Sequence, residues 1–303
     1  MISVLILTKN EAQDLPGCLE SVSWSDDIHV YDSFSTDQTL EIARARGARI
    51  TQRQFDDWSA HQNWGLANIP FRYPWVFYLD ADERVTPVLA ASIQQAAQNP
   101  GEKAAFRVKR RDFWGKQWLK HVVTSSSYMR MFRPEKMRYE RLVNPVSVPD
   151  GPVGELAGYL DHYPFSKGTT HWLTRHNSYS SLESEQIEQN HTAHRQFSLK
   201  RAFLAKDRNE RRFHQKELFY RLPARPLLKF LLLYVGKRGF LDGSAGFNYA
   251  LLQSFYEFMI VLKTKELTGK SASNAATNVL SNSGTLSFHP NSNFETTPTE
   301  TGR

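Results

Sequence analysis

Three times within its first 85 residues the chain runs through a short apolar stretch and then empties into a cluster of polar residues. Ser3 to Thr8 leads into Lys9-Asn10-Glu11, Asp27 to Tyr31 into Asp32-Ser33-Phe34-Ser35-Thr36-Asp37, and Trp75 to Leu79 into Asp80-Ala81-Asp82-Glu83. Continuous apolar runs, as opposed to alternating ones, describe strands covered on both faces, which is the condition of a parallel sheet. Helical stretches fall between them: Leu15 to Val22, Thr36 to Arg46 with Gly47 as its stop, and His61 to Ala67, with Ile50 opening a further strand. Strand and helix in alternation predict an α/β fold, a Rossmann-like mixed sheet flanked by helices, with ligands at the carboxyl ends of the strands.

Ala105 to Arg111, Ser127 to Phe132 and Leu156 to Asp161 read as further strands that complete this sheet and build the side facing an acceptor. Residues 1–165 are thus expected to form the catalytic and ligand-binding unit. Past His162 the pattern turns helical, over Trp172 to Asn190, Phe197 to Leu222 and Phe247 to Lys265, so residues 166–270 form a helical extension. From Ser271 to Arg303 the chain is rich in Ser, Asn, Thr and Pro and is expected to be a disordered tail.

With 40% hydrophobic and 23% charged residues the chain has enough apolar matter for a core, which excludes disorder throughout. The single cysteine, Cys18, excludes a disulfide framework and any multi-cysteine metal site. Met1 to Leu7 has no basic leader and too short an apolar run for a signal peptide, so a cytoplasmic location is expected. No apolar stretch approaches the roughly 20 residues of a membrane span; Leu227 to Val235 is broken by Lys229. The net charge of +7 is concentrated: Arg195 to Arg238 holds 13 Lys and Arg against 3 Asp and Glu, a local +10.

The polar strand ends carry the chemistry. Asp32 can accept hydrogen bonds from a base N–H or a ribose hydroxyl, while Ser35 and Asp37 also suit the cap and first turn of the next helix. In Asp80-Ala81-Asp82, two carboxylates one residue apart just past a buried strand can offer oxygen ligands to Mg²⁺ or Mn²⁺, with one left for ribose or water. A cation of that kind neutralises a diphosphate as it leaves a sugar. Thr8-Lys9-Asn10-Glu11 contains no glycine, which argues against a sugar nucleotidyltransferase with a glycine-rich phosphate loop and against a dinucleotide-dependent dehydrogenase.

Taken together, Ile6-Leu7-Thr8-Lys9-Asn10-Glu11, Asp32 to Asp37, Gln62-Asn63 and Leu79-Asp80-Ala81-Asp82-Glu83 resemble the family-two glycosyltransferases of the GT-A fold. The narrower resemblance is to the branch that includes the bacterial lipopolysaccharide core glucosyltransferases. It is close over about the first 85 residues and weaker through Leu160-Asp161-His162-Tyr163, Asn177 to Ser180 and Arg238 to Gly243. The resemblance implies an inverting transfer from a nucleotide-diphosphate sugar, a UDP-sugar by preference, with Thr8, Asn10, Glu11 and Asp32 around the nucleoside. It also implies Asp80 near the ribose or metal, Asp82 on the metal, Gln62 approaching the nucleotide, and a lipid-linked glycan of the cell envelope as acceptor.

Inversion requires a general base on the acceptor side. Relatives in this branch often carry Val-His-Glu where this chain reads Val143-Asn144-Pro145, and Glu140 is the first substitute, with Asp112 and Glu155 behind it; His162 is a candidate acceptor-side or supporting contact. In the basic segment, Arg195, Lys200, Arg201, Lys206, Arg208, Arg211, Arg212 and Lys216 interleave with Phe197, Phe203, Leu204, Phe213, Leu218 and Phe219. Such a segment either lies on an anionic membrane surface on the inner face of the cytoplasmic membrane or is a solvated face packed on the sheet. Two other readings stand beside the enzyme: a donor-binding protein without transfer activity, and a nucleic-acid-binding protein. The second leaves the acidic strand ends unexplained, and a nucleic-acid partner is not expected.

Overall fold

The computed structural model describes residues 1–140, 146–192, 197–205 and 208–283. In chain order, β1 (Ser3–Thr8), α1 (Leu15–Ser21), β2 (Ile28–Asp32), α2 (Thr39–Ala45), β3 (Arg49–Gln52), α3 (Trp58–Asn68) and β4 (Val76–Asp80) realise the expected alternation. β1 lies between β2 and β4, parallel to both, and β3 extends the parallel part beyond β2. The reason for unbroken apolar runs is visible in the packing. Val4 and Ile6 of β1 with Phe77 and Leu79 of β4 face one core, and Leu5 with Val76 and Tyr78 faces the other, so both faces are covered by period-two alternation.

The second half of the sheet is mixed. β5 (Glu83–Val85), α4 (Pro87–Gln98), β6 (Ala105–Trp114), β7 (Gln117–Trp118), β8 (Ser127–Phe132), β9 (Met137–Glu140), β10 (Val146–Pro149) and β11 (Val153–His162) follow. The order across the main sheet is β3-β2-β1-β4-β8-β6-β11-β5, with β7 on β6, while β9 and β10 form a separate ribbon. β8 runs antiparallel to both β4 and β6, and β11 runs parallel to β6 with a bulge between Glu155 and Tyr159. At that bulge Gly158 has φ +89 and lies so close to α4 that a Cβ would stand 2.7 Å from the backbone nitrogen of Leu89, so only glycine fits. The bulged strand then carries on to His162, which pairs with Asp112 of β6 and with Glu83 of β5.

Helices α5 (Gly168–Thr192), α6 (Leu199–Leu204), α7 (Arg208–Tyr220), α8 (Arg225–Leu231) and α9 (Gly243–Ser283) follow the sheet. The stretch expected as one helix from Phe197 to Leu222 is two, α6 and α7. Gln215 Nε2 donates to the Ala202 carbonyl at 3.1 Å and Ser198 N to His214 Nδ1 at 3.4 Å, so the pair folds back on itself and tertiary contact overrides helix propensity. Helix α9 continues to Ser283, past the boundary expected at 271, and residues 284–303 lie outside the described residues. Arg195, Lys206 and the Val143-Asn144-Pro145 stretch also lie outside them. Leu119 and Val122, just after β7, pack with Leu233, Ala245 and Ala250, which joins the helices to the sheet.

Candidate active site

The carboxyl ends of β1 and β2 are neighbours in register, Thr8 beside Asp32. Asp32 is fully buried, and its carboxylate accepts four hydrogen bonds: from Thr8 Oγ1 (2.9 Å), Ser35 N (2.8 Å), Ser35 Oγ (2.5 Å) and Gln52 Nε2 (3.0 Å). That fills the acceptor capacity of one carboxylate, so in this structure Asp32 ties β1, β2, β3 and the Ser33–Ser35 turn together. Asn10, in the left-handed region at φ 56, accepts from Thr36 N at 2.7 Å and donates its own N–H to Ser35 Oγ at 2.8 Å, which locks the first strand-to-helix loop to the second.

Glu11 continues that loop and meets Lys167, just before α5, at 2.5 Å. Burial raises its pKa; Lys167 opposes this, the nearby carboxylates of Asp82 and Asp14 add to it, and the result is about 7. One of its oxygens is buried and accepts no hydrogen bond. Gln62 is not on an exposed helix face but buried, donating to the Tyr78 hydroxyl at 3.0 Å, which donates in turn to Asp80 Oδ1 at 3.0 Å. It therefore reaches the site through Tyr78.

At the end of β4 the chain turns through Asp80-Ala81-Asp82 into β5. Glu83 is wholly buried and accepts from the Asp80 N–H at 3.0 Å. Arg130 of β8, itself buried, bridges Asp80 (2.8 Å) and Glu83 (2.6 Å) and lies over the Tyr78 ring. Nothing in the sequence reading singled out Arg130. The signal was there: a lone cation inside the apolar strand Ser127–Phe132 requires a buried counter-charge.

Asp82 faces another way. Its Oδ2 lies 3.4 Å from His162 Nε2, and His162 Nδ1 lies 2.5 Å from Asp112 Oδ1, which also meets Arg110 at 3.0 Å. Burial disfavours charge on His162, but Asp82 and Asp112 outweigh it and push its pKa up to about 9. Burial likewise opposes ionisation of Asp82, and His162, Arg175 and Arg110 reverse that, holding it well below the usual carboxylate range. An Asp–His–Asp line thus joins three elements, with the ring orientation set by Asp112. As it stands the raised pKa keeps a proton on His162 Nε2 that Asp82 Oδ2 receives; once that proton leaves, the two atoms, 3.4 Å apart, could together hold a divalent cation. Among the described residues no group of three or more His, Cys, Asp and Glu is placed to hold a metal. Two protein ligands nonetheless suit Mg²⁺ or Mn²⁺, whose remaining positions go to substrate phosphates and water.

The candidates for a general base separate. Asp112 is engaged by His162 and Arg110. Glu155 is exposed and lies seven residues back along β11 from His162, about 20 Å at strand rise. Glu140 ends β9, 55% exposed, with Arg138 Nε at 3.0 Å. The neighbouring Tyr139 is buried and tied to Asn63 of α3 in both directions, its N–H to Asn63 Oδ1 at 2.8 Å and Asn63 Nδ2 to its carbonyl at 2.9 Å.

Residues 3–154 match the model for glycosyl transferase family 2. A lipopolysaccharide core biosynthesis glycosyltransferase, LpsC, of Rhizobium meliloti is 25% identical over 272 residues, covering 86% of this chain and 91% of that protein. An uncharacterized glycosyltransferase of Rickettsia typhi is 23% identical over 276 residues, 89% of this chain and 88% of its own length. Among solved structures, glucosyl-3-phosphoglycerate synthase from Mycobacterium tuberculosis overlaps 45% of this chain and 57% of its own at 19% identity, with a TM-score of 0.35.

Proposed function

This chain belongs to glycosyl transferase family 2, and from that premise we propose that it transfers a hexose, with inversion, from a UDP-sugar to a lipid-linked glycan on the cytoplasmic side of a membrane. The observation that carries the reading is the pairing of Asp82 with a histidine from a distant strand, held by a second carboxylate. In this reading Asp82 and His162 would hold Mg²⁺ or Mn²⁺, whose charge would offset that of the departing diphosphate. Asp112 keeps a proton on His162 Nδ1 and thereby presents Nε2 toward Asp82. Arg130 and Glu83 hold Asp80 at the mouth of β4, where it faces the ribose or the cation. Thr8, Asn10 and Glu11 border the nucleoside, with Asp32 bracing their loop from within through Thr8 and Ser35 and Gln62 supporting from behind Tyr78.

Glu140 takes the acceptor hydroxyl proton as that oxygen attacks the anomeric carbon and the sugar–phosphate bond breaks. Support for this role is its place: it is exposed, and it follows Tyr139, which packs in one core with Tyr78. The name of the R. meliloti relative supports an envelope glycan as acceptor. Among the described residues no helix is long and apolar enough to cross a membrane, so the reading places the basic segment from Arg195 to Arg238 against the anionic inner surface of the cytoplasmic membrane.

The test is donor hydrolysis. With Mn²⁺ and a panel of nucleotide sugars, one donor should release its nucleoside diphosphate slowly in the absence of acceptor, and Asp82→Ala or removal of the metal should reduce that release by a factor of 10² or more, on the order of one lost electrostatic contact in a transition state. Tight donor binding without turnover, even with lipid extracts as acceptor, would overturn the reading.

A further inference from the structure

The C-terminal helices expose apolar side chains in ordered rows. On α8 and the π-helical turn Leu232–Gly236 that extends it, Leu227, Leu228, Leu231, Leu232 and Val235 are all exposed, Leu227, Leu232 and Val235 by more than half. Their spacing puts them on one face. On the other, Phe230 and Tyr234 stack together and meet Phe247 of α9 edge-on. Along α9 a second exposed row, Phe247, Leu251, Phe255, Phe258 and Leu262, recurs at helical spacing over about 22 Å, while Ala245, Ala250 and Ile260 are buried. Ser254 Oγ donates to the Pro226 carbonyl at 2.7 Å while Tyr234 lies on Phe247, so α8 and α9 run antiparallel as neighbours. Phe240 and Leu241, in the 3-10 turn Gly239–Asp242, add to the exposed set. Scattered exposed leucines are ordinary; rows on adjacent helices mark a contact surface.

The charge along the α8 row has one sign in sequence. From Phe219 to Leu241 the sequence contains Arg221, Arg225, Lys229, Lys237 and Arg238 and no Asp or Glu. Arg225 is buried and paired with Glu257 at 3.1 Å. Among the described residues, no ion pair joins Lys229, Lys237 or Arg238 to a carboxylate. Burial first, and then the charge of Lys229, lower the pKa of Lys237, while Lys229 itself lies within electrostatic reach of Glu257. A second copy of this chain is a poor occupant, because a two-fold contact sets the same patch against itself and brings these cations together.

We propose that the leucine face of α8 and the turns that follow it dock on an anionic lipid bilayer, with Leu227, Leu228, Leu231, Leu232, Val235, Phe240 and Leu241 at the acyl boundary and Lys237 and Arg238 on the headgroup phosphates. The proposal deepens the membrane-surface part of the function proposed above, moving the contact from the cationic α7 to the α8 row. It also gives the contact a consequence. Asp242 accepts hydrogen bonds from the N–H groups of His121 (2.9 Å) and Val122 (2.7 Å), just after β7, and its carbonyl accepts from Gln117 Nε2 of β7 (2.8 Å), so the docked face is tied to the β6–β7 hairpin whose first strand carries Asp112. A docked molecule therefore holds its cleft at a set orientation to the lipid.

Flotation of the full chain with vesicles tests this. Binding is expected to vesicles of phosphatidylethanolamine with phosphatidylglycerol and to be weak on phosphatidylcholine alone. Leu231→Glu combined with Leu232→Glu should lower partitioning on the anionic vesicles about tenfold or more, with the thermal midpoint and donor hydrolysis unchanged. Lys237→Glu with Arg238→Glu should also weaken binding. If the leucine variant binds as wild type does while the charge variant does not, attachment is electrostatic only and the apolar docking is overturned, with the functional reading intact. Absence of vesicle binding, or a wild-type dimer that the leucine variant converts to monomer, overturns it as well. Vesicle binding without donor turnover leaves the docking standing and sinks the enzymatic reading alone.

Discussion

Phe34 is held in the left-handed region at φ 61, a conformation that costs a bulky side chain about 1–2 kcal/mol. Lys9 Nζ keeps it there by donating to the carbonyls of Ser33 (3.0 Å) and Phe34 (2.7 Å), while its ring is 47% exposed and packs little. Phe34→Gly removes the strain and returns part of the gain as backbone entropy, roughly 0.5–1 kcal/mol, so a net stabilisation of up to about 1 kcal/mol is expected in urea unfolding; a destabilised variant would show that the ring has partners the free chain depends on. Residue-level legibility was uneven for a physical reason. Asp80 and Asp82 follow an apolar run directly, so their place at a strand mouth could be read off. The Asp112–His162 contact spans 50 residues and depends on the register of β6 against β11, which carries no local signature.

At the scale of elements, the parallel part of the sheet is pinned at its amino-terminal edge by the buried carboxylate of Asp27, as Asp32 pins the other edge. Asp27 accepts from Ser3 Oγ (2.5 Å), the Arg72 N–H (2.8 Å) and Arg49 (2.7 Å), tying β1, β3 and the loop before β4 to the start of β2. Burial by itself would raise its pKa, but the bonds from Ser3, Arg72 and His29 prevail and lower it. A folded pKa below the unfolded one means that the contribution is fully present above about pH 4, the unfolded value, and is lost as pH falls through the folded one. Asp27→Asn should therefore cost about 2–3 kcal/mol at pH 7, and the gap to wild type should narrow in urea unfolding at pH 3.5; a gap independent of pH would mean that the charge is not what holds the strands. Elements whose apolar pattern matches their burial, such as β1, β4 and β8, were legible. The α6–α7 pair was not, since no Gly or Pro separates the two helices in sequence and the contact of Gln215 with Ala202 that joins them is tertiary. Helix α4 was absent from the sequence reading even though Thr86 caps it and Pro87 opens it.

For the whole molecule, the candidate site is assembled from parts far apart in sequence: the ends of β1, β2 and β4, the end of β11, and Lys167 ahead of α5. A ligand bridging them stabilises the sheet and the beginning of the helical extension together, so mass action should appear as one shifted unfolding transition, about 2.7 kcal/mol at a hundredfold excess over Kd. The expected pattern in thermal scanning is a small rise with UDP alone and a larger one, several degrees, with UDP and Mn²⁺. Asp112→Asn separates the contributions, because Asp112 reaches the proposed cation site through the orientation and basicity of His162, its other partner being Arg110. Losing such a partner typically weakens metal affinity 10–100-fold, so the Mn²⁺-dependent increment should shrink by about 1.4–2.7 kcal/mol while the shift from UDP alone stays. An undiminished increment in Asp112→Asn would remove His162 from the cation site and leave Asp82 to hold it with phosphate and water.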